Sequence, residues 1–128
     1  MKVIEVTCAI ISFEEKILVV QRSENMKLPL KWEFPGGKIN DGETEQECII
    51  REIKEELNID IELGKRLNPS KFDYPNISIE LIPYTAKYIK GEIQLLEHKQ
   101  YKLLDKNQLQ YLDWAKADIP IVNEILGE

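Results

Sequence analysis

The chain has 128 residues, 43% of them hydrophobic and 31% charged, the make-up of one globular domain with room for a core. A net charge of −6 argues against a protein that grips nucleic-acid polymers by phosphate neutralisation, which needs a basic face. No apolar run approaches the roughly 20 residues that span a bilayer, so no membrane partner is expected.

The N-terminal stretch is apolar but interrupted by Glu5, and it reads as a strand and not as a signal peptide. The expected location is the cytoplasm. Cys8 and Cys48 sit in apolar settings and read as buried free thiols. The single histidine, His98, has no sequence context that would pair it with a nucleophilic cysteine.

Residues 2–12 and 16–22 are rich in β-branched side chains on either side of Glu14-Glu15, which predicts a hairpin. Arg22 closes the second strand, either as a surface charge or aimed at a ligand. Residues 23–31 are loop-like. Trp32 and Phe34 alternate around Glu33 as a short strand, and Pro35-Gly36-Gly37 breaks it. Adjacent glycines let backbone approach a ligand.

Thr44 with Glu47 three residues on is a capping box, so a helix starts near Glu45. Cys48, Ile49, Ile53 and Leu57 make its apolar stripe, and Asn58 suits the left-handed residue that ends it. Residues 60–67 suggest a strand, 68–76 a turn-rich connection and 77–90 a long strand, with Pro83 predicting a bulge or an edge position. Residues 92–96 are expected to pair back. A short helix opens at 105–107, and a last helix covers 119–126 with Pro120 in its first turn and Asp118 as cap. The fold class is α/β (or α+β), with a mixed sheet between helices.

The chemistry concentrates between Gly37 and Ile59. Glu52, Glu55 and Glu56, spaced i, i+3 and i+4, converge on one helix flank. Crowding carboxylates is costly because like charges repel. Magnesium takes oxygen ligands and shares them with substrate phosphates, so these three acids suit a metal-bound diphosphate. The competing reading is a solvated acidic face.

The full string decides between them. Gly37, Glu43, Arg51-Glu52, Ile53, Glu55-Glu56 and Ile59 resemble the signature of the Nudix hydrolases, G-x5-E-x7-R-E-U-x-E-E-x-G-U, where U is bulky and aliphatic. Asn58 is the one departure, standing where the family has glycine. The resemblance implies a single α/β/α sandwich domain over residues 1–128. It implies Mg2+, with Mn2+ as an alternative, held by Glu52, Glu55, Glu56 and the Gly37 carbonyl. Arg51 resembles the arginine that orients a ligand carboxylate. Glu43 is either a further metal carboxylate or a helix-dipole acid.

Beyond this box, Glu33–Lys38 (EFPGGK) and Ala117–Pro120 (ADIP) resemble the MutT branch. That branch hydrolyses nucleoside triphosphates, oxidised ones included, to monophosphate and pyrophosphate, and so sanitises the nucleotide pool. The opening and the DWAKADIPIV ending look like the CTP and 5-methyl-dCTP type. Glu97 resembles a late-loop carboxylate that binds metal or acts as base. Arg22, Gly36, Lys38 and Asp118 fall among substrate-contacting positions, with Phe34 either packing on the base or lying in the core. Asp118 stands where the branch has asparagine; as an ionised acceptor it suits an exocyclic amine such as cytosine N4, and protonated it mimics the amide. The implied activity is hydrolysis of a nucleoside triphosphate, with cytosine nucleotides or 8-oxo-dGTP as candidates. Cleavage of ADP-ribose or a dinucleoside polyphosphate, and a non-catalytic nucleotide sensor, are the alternatives. The expected partner is a small nucleotide, and the expected state a monomer or weak dimer.

Overall fold

A computed structural model describes residues 2–127. Its strands are β1 (Val3–Phe13), β2 (Lys16–Gln21), β3 (Trp32–Glu33), β4 (Gly36–Lys38), β5 (Asp60–Arg66), β6 (Ser70–Tyr74), β7 (Ile77–Lys90) and β8 (Gln100–Leu104). The helices are α1 (Glu45–Leu57) and α2 (Ile119–Leu126), with 3-10 turns at Lys106–Tyr111 and Lys116–Asp118. All eight strands form one sheet, in the order β3-β2-β1-β7-β5, with β4 on β1, β6 on β7 and β8 on β2. β1 and β7 run parallel from Val3 opposite Ser78 to Ser12 opposite Lys87, and the remaining pairs are antiparallel.

Both faces of this mixed sheet are covered, and the period-2 alternation of its strands supplies a core to each. Cys8 and Ile10 of β1, Ile17 and Val19 of β2, and Leu81 of β7 point to the α2 side, where Leu109, Trp114 and Ile121 meet them. Ala9, Ile11, Leu18, Val20 and Ile82 point the other way, onto Ile49, Ile53 and Leu57 of α1. The result is the α/β/α sandwich expected from the sequence.

Helix α1 is bounded as its sequence dictates. The Glu47 N–H donates to Thr44 Oγ1 at 3.0 Å, and the Thr44 N–H to Glu47 Oε1 at 2.9 Å. Asn58 ends the helix at φ 61°, ψ 32°, the left-handed conformation. Its Nδ2 also donates to the Glu92 carbonyl at 3.4 Å. Asn58 thus performs the helix-ending task that glycine performs in the signature.

Four expectations need correction. Gly36–Lys38 is a strand and not a break: it pairs with β1, Thr7 opposite Gly37. Residues 70–74 form β6, a hairpin with β7, where turns were expected. Residues 92–96 do not return to the sheet. The Gln94 N–H donates to the Leu57 carbonyl at 3.0 Å, which fastens this segment to the end of α1. Pro83 lies inside the sheet, opposite Cys8 on the β1 side. The irregularity falls on its other neighbour: β5 shifts register between Leu63 and Arg66, and the Leu67 N–H reaches the Pro83 carbonyl at 2.8 Å. No helix among the described residues is long and apolar enough to cross a membrane.

Candidate active site

The site is made where α1 faces β4. Ile49, Ile53 and Leu57 anchor one side of the helix, which rotates Glu52 and Glu56 toward the sheet. Their side chains are 17% and 11% exposed, whereas Glu55 is 58% exposed and stands at the rim. The glycines opposite are dictated by contact. A Cβ on Gly37 would lie 2.3 Å from Glu52 Cδ, and one on Gly36 would lie 2.0 Å from the Thr7 carbonyl oxygen.

Ladder geometry corrects one expected ligand. The Pro35 carbonyl and the Ile39 N–H both bond to β1, so odd-numbered positions of this segment face β1. The Gly37 carbonyl is therefore turned into the sheet, where Thr7 Oγ1 donates to it at 3.2 Å. Gly36 and Lys38 face the other way, and the Lys38 carbonyl accepts from Arg51 Nη2 at 3.1 Å. By the same parity the Gly36 carbonyl is turned away from β1.

Arg51 knits the outer acids together. It grips Glu43 through Nε (2.6 Å) and Nη2 (2.9 Å), and its Nη1 reaches Glu52 at 2.8 Å and Glu55 at 3.2 Å. The Arg51 hydrogen bonds, with help from the Asn40 N–H, hold the Glu43 carboxyl down to about 2. The same pairing raises Arg51 above its ordinary value. Glu43 is thus the partner of Arg51.

Glu56 is the opposite case. Burial first, then its hydrogen bond to Glu52 and the charges of Glu52, Glu33 and Glu97, push its carboxyl up to about 9. Its Oε2 is buried without a hydrogen-bond partner among the described residues. Behind it runs a chain that sequence reasoning did not find. His98 Nδ1 lies 4.0 Å from Glu56 Oε2, His98 Nε2 lies 2.8 Å from Glu33 Oε2, and Glu33 Oε1 accepts from Arg22 Nη1 at 2.9 Å.

Two connected spaces open from this wall. One, of about 300 Å³, is lined by Gly36, Gly37, Lys38, Glu52, Glu56 and Glu97. The other, of about 490 Å³, has an apolar lining that includes Val6, Tyr74, Ile77, Ile79 and Leu81. Arg22, Glu33 and Asp118 border both. A polar recess joined to an apolar chamber of this size suits a ligand with a charged end and a flat apolar end.

Two further expectations are resolved by position. Phe34 is only 3% exposed and its ring packs on Trp114 with centroids 4.8 Å apart, so it belongs to the core while it also borders the polar recess. Asp118 makes no cap bond at α2. Its carboxylate turns inward, where Oδ2 accepts from the Phe34 N–H at 3.0 Å. Burial, then the charge of Glu33, pushes Asp118 well above the ordinary carboxylate range.

The donor set fits a hard divalent cation. It is all oxygen, and it leaves a crowded carboxyl pair and an orphaned Glu56 oxygen that a positive charge would satisfy. Among the described residues there is no group of three or more His, Cys, Asp or Glu side chains placed to hold a metal ion on their own. Magnesium does not require one, since it completes its shell with water and substrate phosphates.

Comparison with known proteins agrees with this geometry. The NUDIX domain pattern matches residues 1–125. The CTP pyrophosphohydrolase of Escherichia coli (strain K12) is 30% identical over 127 residues, covering 99% of this chain and 94% of that protein. The 8-oxo-dGTP diphosphatase of Haemophilus influenzae is 30% identical, with the same shares covered. Among solved structures, a MutT protein of the Nudix hydrolase family from methicillin-resistant Staphylococcus aureus 252 superposes with a TM-score of 0.81 at 45% identity, covering 99% of this chain and 98% of that one. These relatives define the class: a hydrolase acting on acid anhydrides. Within that class, the chain belongs to the Nudix family, whose members generally use divalent metal ions, and the relatives named for CTP and 8-oxo-dGTP act on small nucleotides.

Proposed function

We propose that this protein, as a single domain, hydrolyses a nucleoside triphosphate to the monophosphate and pyrophosphate with Mg2+. The observation that carries the reading is the partly buried Glu52–Glu56 pair facing Gly36 and Gly37, where a side chain on Gly37 would push the Glu52 carboxyl out of place. A bound divalent ion would neutralise the diphosphate and orient an attacking water. The residues to hold it are Glu52, Glu55, Glu56, Glu97 and the Gly36 carbonyl. Arg51 fixes Glu52 in place and is itself fixed by Glu43. Lys38 and Arg22 supply positive charge at the phosphate end. The apolar chamber takes the base, with Asp118 at its inner end; a protonated Asp118 offers a donor and an acceptor, as an amide does.

Cytosine nucleotides are the favoured substrates. Ile77 lines the chamber and brings no hydrogen bond to a purine edge, and the apolar wall of Ile77, Ile79 and Leu81 accommodates a methylated pyrimidine. The E. coli relative named for CTP points the same way. The test is pyrophosphate release from CTP, dCTP, 5-methyl-dCTP, dGTP and 8-oxo-dGTP, with Mg2+ and with chelator. Release that needs the metal and is fastest with cytosine nucleotides supports the proposal. Dominance of 8-oxo-dGTP overturns the base preference, and silence across the panel overturns the activity.

A further inference from the structure

The sole histidine of the chain is buried in the active-site wall, with its side chain 2% exposed. It sits in the segment between β7 and β8 that also carries Glu97. That segment is held at both ends: the Leu96 N–H donates to the Glu56 carbonyl at 3.4 Å and the Lys99 N–H to the Gln21 carbonyl at 2.9 Å. The ring is therefore aimed by its backbone and not by chance.

Its hydrogen bonds fix the tautomer. Glu33 is ion-paired with Arg22 through Oε1, and a carboxylate in such a pair can only accept. His98 Nε2, 2.8 Å from Glu33 Oε2, must then carry the hydrogen. In the neutral ring that leaves Nδ1 as a lone-pair acceptor. Nδ1 and Glu56 Oε2 are the two buried side-chain polar atoms without a partner among the described residues, and they lie 4.0 Å apart. Two acceptors at that distance are too far apart to bond each other. Both can be reached at ordinary hydrogen-bond length, about 2.8 Å, by one donor with two hydrogens, a water molecule.

We propose that His98 is a positioning residue: locked by Glu33 as the Nε2–H tautomer, it presents Nδ1 to a water shared with Glu56 Oε2 and so aims that carboxyl at the metal and diphosphate recess. The chain Arg22–Glu33–His98 then ties the substrate wall to the helix that bears Glu52 and Glu56. Residues that orient a ligand carboxylate from behind are commonly worth 10–100-fold in activity or metal affinity. The kinetic arm of the test rests on the hydrolase reading; the spectroscopic arm does not.

The test uses the full-length protein. Because His98 is the only imidazole, its ring nitrogens are unambiguous in 15N-labelled protein at about pH 8. The expected spectrum has a protonated Nε2 and an unprotonated, hydrogen-bond-accepting Nδ1. His98→Gln keeps a donor at the ε position for Glu33 and removes the δ acceptor. It is expected to keep its Tm, to lower kcat 10–100-fold and to leave KM within about twofold. A Nδ1–H tautomer, or wild-type kcat in His98→Gln, overturns the proposal. So does a rise in KM with kcat unchanged, which would make His98 a binding contact. If His98→Gln fails to fold, the wild-type tautomer alone decides. If the wild type releases no pyrophosphate, the hydrolase reading fails while the spectrum still judges His98.

Discussion

Replacing Glu56 by glutamine separates function from stability. In the metal-free protein, burial and the neighbouring carboxylates push the Glu56 carboxyl from 4.5 up to about 9. A carboxyl with a raised folded-state pKa contributes most below its unfolded value and loses that contribution as pH rises through the window. Here the window runs from 4.5 to about 9. Each pH unit is worth about 1.4 kcal/mol. From 4.5 to about pH 7 the wild type loses about 3 kcal/mol. Glutamine carries no such cost, and its amide still donates to Glu52. For a chain of this length that difference is roughly 10 °C in Tm. The assay is thermal unfolding in chelator at several pH values. Glu56→Gln is expected to match the wild type near pH 5 and to exceed it increasingly toward pH 8, while its activity is lost. Added Mg2+ should raise the wild type more than the variant. A wild-type Tm that does not fall across this range, or a variant no more stable at about pH 8, refutes the reasoning.

The two glycines should fail differently. Gly37→Ala displaces only the end of Glu52, so Tm should change little while kcat falls about 100-fold; Gly36→Ala collides with the backbone of Thr7 and Cys8 and should reduce the yield of folded protein. Glu43 is the reverse of Glu56: its lowered carboxyl lends stability above 4.5 and loses it as pH falls toward about 2, so Glu43→Gln should flatten the acid end of the unfolding curve. Asn58→Ala should lower stability by about 1 kcal/mol without altering kcat, because alanine lacks the tolerance of asparagine for φ 61°.

Local rules made much of this chain legible in its sequence. The Thr44–Glu47 box, the stripe through Ile49, Ile53 and Leu57, and the left-handed Asn58 are all short-range features, and each lies where its residues predict. Strand β4 was hidden because glycine has little strand preference and its partner Thr7 is 30 residues away. Strand β6 was hidden by polar residues between turn formers. The site divides along the same line. The acids of α1 are visible as a spacing. Glu33 and His98 touch across 65 residues, and nothing local marks either of them. Asp118 looks like a helix cap from its neighbours, yet burial turns it toward Phe34, a contact across 84 residues.

The most direct test of the central claim is the product of the reaction. Incubated with CTP and Mg2+ and followed by 31P NMR, the protein is predicted to give CMP and pyrophosphate in equal amounts, and to give neither in chelator. CDP with orthophosphate would place the cleavage at the wrong phosphorus, and intact CTP with no turnover of any nucleoside triphosphate would remove the pyrophosphohydrolase assignment altogether.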